Sequence, residues 1–360
     1  MKSEDQLKQF LLTTKILRFP LIILVIYIHI IHEDITQISI SLIPNNVFHI
    51  LYSLISQNLG RIAVPCFFVF SGFLFFMKIK GNYSLDMYKE QISKRIKTLL
   101  IPYFIWNIIF VTTILLKNYL FTKLNLNTDD NYYYLQNNSI YKILWQGPID
   151  YPLWYLRDLI IMCIISPLIY YITKKTRILG IVYLAIFYLS SIEIPFPGLS
   201  TTAIFFFGLG VYFTNHITIV INGINKFGRY NLVLSFILLL ISTYFNGVPV
   251  FYELFIKLFT ISGIFSLIYI GNIIQKNNAI TSLLVNLSVT VFFIYAIHVI
   301  YIINLSKGIF FKISFFNTGY GVIIGYLLSP ILVLFICLLL YYSLKKIAPR
   351  TLNTLTGSRA

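Results

Sequence analysis

Arg18 and His29 are the side chains most open to chemistry, because both are ionisable and both fall at or within the first long apolar stretch. An ionisable group held at bilayer depth costs about 2.5–3.5 kcal/mol on insertion scales, so it needs a partner or a wet cavity. Eleven residues at about 100° each come to about 1100°, about 20° past three full turns, so on a helix both side chains share one face. They stand about 16.5 Å apart along the axis. That geometry suits a ligand with an anionic end in the cytoplasm and a reactive end deep in the membrane. An acyl-coenzyme A, with its phosphates and long pantetheine arm, is such a ligand. A plainer reading also stays open: an interfacial anchoring arginine, and a histidine satisfied by a neighbouring helix. His32 lies about 60° round from His29, and His29-Ile-Ile-His32-Glu33-Asp34 has the residue types of a metal site. No second ligand cluster accompanies it and Glu33 and Asp34 fit an outer loop, so no metal is expected.

Further ionisable or polar groups recur inside apolar runs. Arg157 and Asp158 are adjacent, so on a helix they point apart, and each is expected to find its partner on another helix around a polar cavity. Tyr295 and His298 are three apart and share a face. Glu253 and Lys257, four apart, are expected to pair with each other. Lys94, Arg95 and Lys97 precede Pro102-Tyr103; anchoring to anionic lipid accounts for them, and phosphate binding by Lys94 or Arg95 is the sharper alternative.

The elements that must position these groups are membrane helices. The 360 residues are 58% hydrophobic and 11% charged, against about 25% charged in soluble domains. Ten apolar runs stand out, at about 17–32, 61–77, 99–116, 153–172, 178–192, 201–216, 231–247, 254–273, 288–306 and 321–344. The expected fold is therefore all-α: one polytopic bundle over residues 1–360 with short tails at about 1–16 and 345–360. With both termini placed in the cytoplasm, 20 of the 28 Lys and Arg residues fall on the inside and six outside, every inside segment holding at least one. The net charge of +16 follows membrane topology rather than a nucleic-acid surface. Cys66, Cys163 and Cys337 sit far apart in apolar runs and read as inert thiols. No cleavable signal is expected at the N-terminus, and the Ile, Asn and Lys richness fits an AT-rich bacterial genome. Two long outer loops are expected, about 33–60 and 117–152, the second polar and tyrosine-rich, a composition that suits sugars and equally suits a membrane interface.

Several of these motifs, in order, resemble the acyltransferase-3 family of membrane acyltransferases. They are Arg18-X10-His29, then Arg61-Ile-Ala-Val-Pro65-Cys-Phe-Phe-Val-Phe-Ser71-Gly72, then Lys94-Arg95 before Pro102-Tyr-Phe-Ile-Trp106. Leu153-Trp154-Tyr-Leu-Arg157-Asp158 and Tyr295-Ala-Ile-His298 follow, so the resemblance runs from about residue 15 to 345. It implies about ten spans in the cell membrane and transfer of an acyl group, often acetyl, from cytoplasmic acyl-CoA to a hydroxyl of an extracytoplasmic polysaccharide or glycolipid. Arg18 and His29 match the family's functional pair. Acyl-CoA is then a donor substrate, and no permanently bound cofactor is expected. Some relatives add an extracytoplasmic esterase-like domain; here acceptor recognition is expected from loops or a partner.

On that reading His29 is the general base on the acceptor hydroxyl or a transient acyl carrier, and Arg18 holds a CoA phosphate. Arg61, Arg157 and His298 are expected to line the pore or polarise the thioester. Ser71, Lys94, Arg95, Trp154, Asp158 and Tyr295 complete the candidate substrate-binding set. An exporter of polysaccharide or lipid-linked glycan is the rival function, because the same polar cavity would serve it. A membrane scaffold has no need of the intramembrane charges.

Overall fold

A computed structural model describes residues 2–30, 42–77, 83–126 and 130–359. His32, Glu33 and Asp34, with the metal reading they carried, lie outside the described residues. The described residues form helices and no strand. In chain order they are α1 (Lys2–Ile30), α2 (Pro44–Phe76), α3 (Leu85–Lys123), α4 (Asp130–Asn137), α5 (Trp154–Ile164), α6 (Ser166–Thr176) and α7 (Ile178–Leu189). There follow α8 (Thr201–Asn215), α9 (Ile217–Tyr244), α10 (Pro249–Ile274), α11 (Asn278–Ser288), α12 (Val291–Phe310), α13 (Tyr320–Ile347) and α14 (Pro349–Leu355).

Seven of these are long and apolar enough to cross a membrane: α1, α2, α3, α9, α10, α12 and α13. An eighth crossing is made if α5 and α6, bent by 65° about Ile165, count as one span. Pro167 opens α6 and supplies no backbone N–H, which is why the ladder breaks there. The ten expected apolar runs overlap helices among the described residues, and seven or eight of those helices have the length and apolarity of a full crossing. α7 and α8 have only 12 and 15 residues, about 18 and 22 Å at 1.5 Å each, short of a core about 30 Å thick. α8 is apolar because it is buried on every side, with Phe205, Phe206, Phe207, Val211 and Phe213 all enclosed. Composition alone does not separate such a core helix from a lipid-facing one. The lipid-facing kind shows in α3, α9 and α13, where Leu115 (49%), Phe236 (58%) and Phe335 (63%) stand exposed, as hydrocarbon permits and water does not.

α1 is the hub of the bundle, packing against α2, α9, α10, α11, α12 and α13. Polar side chains tie it in: Thr13 donates to Asn272 at 2.9 Å, and Gln6 to Asn222 at 2.9 Å. Such bonds hold helices together where water offers no alternative partner. α2 and α8 approach more closely than any side chain at the crossing would allow. A Cβ on Gly72 would lie 2.2 Å from the Phe207 carbonyl oxygen, and one on Gly210 would lie 2.1 Å from that of Val69. Gly72→Val is therefore expected to destabilise the bundle by about 1–3 kcal/mol or more, seen as a lower melting temperature of the detergent-purified protein. An unchanged melting temperature would contradict this crossing.

Three helices depart from regular geometry close to the candidate residues. α2 holds a π-type turn over Ser53–Asn58, α3 one over Ile96–Leu100, and α12 one over His298–Ile302. In α12 the chain breaks at Ile300 and Tyr301, the latter with φ 58°, a conformation costly for a non-glycine residue. Such bulges re-aim side chains and gather at functional sites.

Candidate active site

Two cavities lie inside the bundle, and α1 runs along both. The first, about 330 Å³, is lined by Arg18 with Lys15, Arg95, Ser71, Tyr155 and Arg359, among others. The second, about 820 Å³, is lined by His29 with Gln57, Arg61, Tyr151, Trp154 and Lys257, among others. The spacing of Arg18 and His29 thus places one at each cavity, as three turns of helix on one face require. α2 does the same, with Ser71 in the first cavity and Arg61 in the second. The partition is thin: the consecutive residues Trp154 and Tyr155 of α5 line opposite cavities.

The partition is built from aromatic and imidazole rings. The His29 ring lies 4.9 Å from that of Tyr151, edge to face, and 5.4 Å from that of His298. The Tyr155 and Tyr295 rings stand edge to face at 5.9 Å. Tyr155 Oη is 3.2 Å from Ser71 Oγ, and the Tyr295 hydroxyl donates to the Pro152 carbonyl. His298 is wholly buried. Its Nδ1 lies 2.8 Å from the Tyr295 carbonyl oxygen and 3.1 Å from that of Ile294. Carbonyl oxygens only accept, so Nδ1 carries the proton and Nε2 presents a lone pair. That Nε2 has no hydrogen-bond partner among the described residues. Two imidazoles from α1 and α12, 269 residues apart in sequence, are therefore held side by side.

Arg157 and Asp158 pair with each other, against the expectation that they point apart, and both also find partners beyond α5 as expected, Arg157 on the helical turn Lys142–Gln146 and Asp158 at Ser200. Arg157 Nε and Nη2 donate to Asp158 Oδ1 at 3.1 and 2.9 Å, and Nη1 donates to the carbonyls of Trp145 (3.1 Å) and Gln146 (2.6 Å). The expectation from helical divergence is corrected because the arginine stem is long enough to fold back, and five donors let one guanidinium serve several acceptors. With Asp158 1% exposed, this pairing offsets its burial. The pair lines a third cavity of about 580 Å³, at whose edge Glu253 and Lys257 pair at 3.0 Å as their spacing predicts.

Of the two basic candidates on α3, Arg95 lines the first cavity, its guanidinium 5.5 Å from the Phe75 ring centre, whereas Lys94 pairs with Glu90 on the exposed face. Arg61 donates to the Gln57 carbonyl at 2.8 Å and sits over the Tyr252 ring. The residue reading overlooked Tyr155, Tyr151 and Arg359. Tyr155 lay inside a quoted motif, but a tyrosine near a membrane interface carries no signal of its own. Asp150 was overlooked too: it is wholly buried, and neither carboxylate oxygen has a hydrogen-bond partner among the described residues. No group of three or more His, Cys, Asp or Glu able to hold a metal occurs among the described residues.

Comparison with known proteins finds a match to the acyltransferase-3 family, described as an acyltransferase domain, over residues 15–342. The succinoglycan biosynthesis protein ExoH of Rhizobium meliloti (strain 1021) is similar, with 24% identity over 230 residues. That alignment covers 58% of this chain and 57% of the relative, so the chain spans little more than half the length of the curated protein it matches. No solved structure matches the chain.

Proposed function

The chain belongs to the acyltransferase-3 family, and on that premise we propose that it moves an acyl group, acetyl foremost, from cytoplasmic acyl-CoA to a hydroxyl of a cell-surface polysaccharide or glycolipid. The observation that carries this reading is one helix with a guanidinium in a small cationic cavity and an imidazole in a larger polar one, with consecutive residues of α5 lining the two. A small cavity rich in Arg suits the phosphates and arm of the donor. A wide cavity with Trp154, Tyr151 and Gln57 suits a sugar, whose faces pack on rings and whose hydroxyls need amide and charged partners.

In this scheme Arg18 and Arg95 hold donor phosphate, the cytoplasm lies at their end, and the thioester reaches toward the partition. His29 takes the proton of the acceptor hydroxyl as its oxygen attacks the thioester carbonyl. A C–O bond forms and the C–S bond breaks. The thiolate leaves with coenzyme A and recovers the proton from His29, so no other reactant is needed. Tyr155 and Ser71 are placed to meet the pantetheine arm, and Arg61 and Trp154 the acceptor. The relative named for succinoglycan biosynthesis directs the acceptor proposal to an exopolysaccharide; the bacterial cell membrane is the matching location.

The test uses sealed membrane vesicles, with and without the protein, loaded with acetyl-labelled acetyl-CoA. Label is expected in the carbohydrate fraction as alkali-labile ester, with stoichiometric release of free CoA thiol. Glycan that crosses the membrane without acquiring label would overturn the transferase reading in favour of export.

A further inference from the structure

The segment beyond the last long helix lies outside the family match, which ends at residue 342, yet it is seated in the bundle like core. Leu352 is 1% exposed and Thr356 is wholly enclosed, and Trp106 Nε1 of α3 donates to the Leu355 carbonyl at 2.9 Å. The chain then reverses sharply through Gly357 and Ser358, both with φ 61°. Ser358 N donates to the Asn353 carbonyl at 2.7 Å and Gly357 N to that of Thr354 at 3.2 Å. Only glycine suits the first of these positions. A Cβ there would lie 2.6 Å from the Thr98 carbonyl oxygen, at a φ that L side chains already resist.

That reversal delivers Arg359 into the cavity of Arg18. The Arg359 guanidinium lies 4.3 Å from the centre of the Phe292 ring on α12, and its Nη1 donates to the Thr356 carbonyl at 3.3 Å. It lines the cavity with Lys15, Arg18 and Arg95, and no carboxylate among the described residues lines it. Burial, with the neighbouring Arg18 and Arg95 charges adding to it, pushes Arg359 down to about 10. Cations gathered out of water without a counter-charge are costly, so their arrangement calls for an anion.

We propose that Arg359 is a donor-binding residue, completing with Arg18 and Arg95 a three-guanidinium site for the phosphate groups of a nucleotide-bearing thioester. This rests on the donor reading of the same cavity. The segment 349–359 then acts as a strap whose turn at Gly357 sets the reach of the third guanidinium. Each guanidinium can meet a phosphate with paired N–H donors, which a lysine at the same place cannot do.

Coenzyme A binding is measured by calorimetry on the full-length protein in phosphatidylcholine nanodiscs, where no anionic headgroup competes. Arg359→Ala is expected to weaken CoA binding about tenfold to a hundredfold, the loss of one charge-assisted phosphate contact. Arg359→Lys is expected to recover part of it. Gly357→Val, which keeps the charge but cannot hold the turn, is expected to lose as much as Arg359→Ala. Lys346→Ala, which removes an exposed charge outside the cavity, should bind as wild type, and melting temperatures show that each variant is folded. Wild-type affinity in Arg359→Ala, with affinity lost in Arg18→Ala, would overturn this inference alone. Failure of the wild type to bind CoA would overturn the donor reading and this inference with it. If Arg359→Ala alters only the retention of added phosphatidylglycerol, the cations serve a lipid headgroup and the inference is overturned.

Discussion

His29→Ala is expected to lower acyl transfer about 100- to 10,000-fold, the range that a positioned general base contributes, while CoA binding at the Arg18 end stays within about twofold. The two effects separate because the residues they depend on line different cavities. Three turns of α1 stand between the imidazole and the guanidinium, about 16.5 Å of helix, so truncating one leaves the surroundings of the other intact. The loss should therefore appear in kcat and not in the donor KM. The fold should tolerate the change, because His29 is only half-buried and faces a cavity instead of packed core. The measurements are thiol release under saturating acetyl-CoA and calorimetric CoA binding on the same preparation. Transfer at the wild-type rate would remove His29 from the reaction. Loss of CoA binding together with transfer would mean that the two cavities are not independent, and that the division of labour along α1 is wrong.

The placing of Arg18 and His29 along one side of α1 was legible in the sequence because it follows from helical geometry alone. Two ionisable residues eleven apart in an apolar run must share a face, wherever the other helices lie. The pairing of Glu253 with Lys257 was legible for the same local reason. What no local rule supplies is proximity between distant helices. Nothing in Tyr295-Ala-Ile-His298 says that its imidazole stands beside His29, and nothing in the last residues says that Arg359 turns inward. Arg157 and Asp158 misled because helical divergence describes Cβ directions, while a guanidinium sits several bonds beyond its Cβ and can fold back. Hydropathy alone does not distinguish α7, whose Leu179 and Ile186 stand exposed, from α8, which is enclosed by protein, because a helix buried in protein lacks water as completely as one in lipid.

His298 yields the second large effect, and its two amide replacements should separate what each ring nitrogen does. In His298→Asn the side-chain amide falls near the place of Nδ1 and can keep donating to the carbonyls of Tyr295 and Ile294. It has nothing at the place of Nε2, the nitrogen without a partner among the described residues. In His298→Gln the amide reaches the place of Nε2 and gives up the backbone bonds. If Nε2 acts on the reaction by orienting His29 or sharing its proton, His298→Asn is expected to lose transfer about 100-fold with its melting temperature preserved. His298→Gln is then expected to keep more activity but to lose about 1 kcal/mol of stability, the net worth of the broken bond to Tyr295. The opposite pattern, an active Asn variant and an inactive, destabilised Gln variant, would assign His298 to holding the broken end of α12 at Ile300 and Tyr301. The His29 ring would then act without it. Because His298 is fully enclosed and the kink follows it directly, kcat and melting temperature must be read on the same samples. The expected result is that activity follows Nε2 while stability follows Nδ1, which one structural role for the whole ring could not produce.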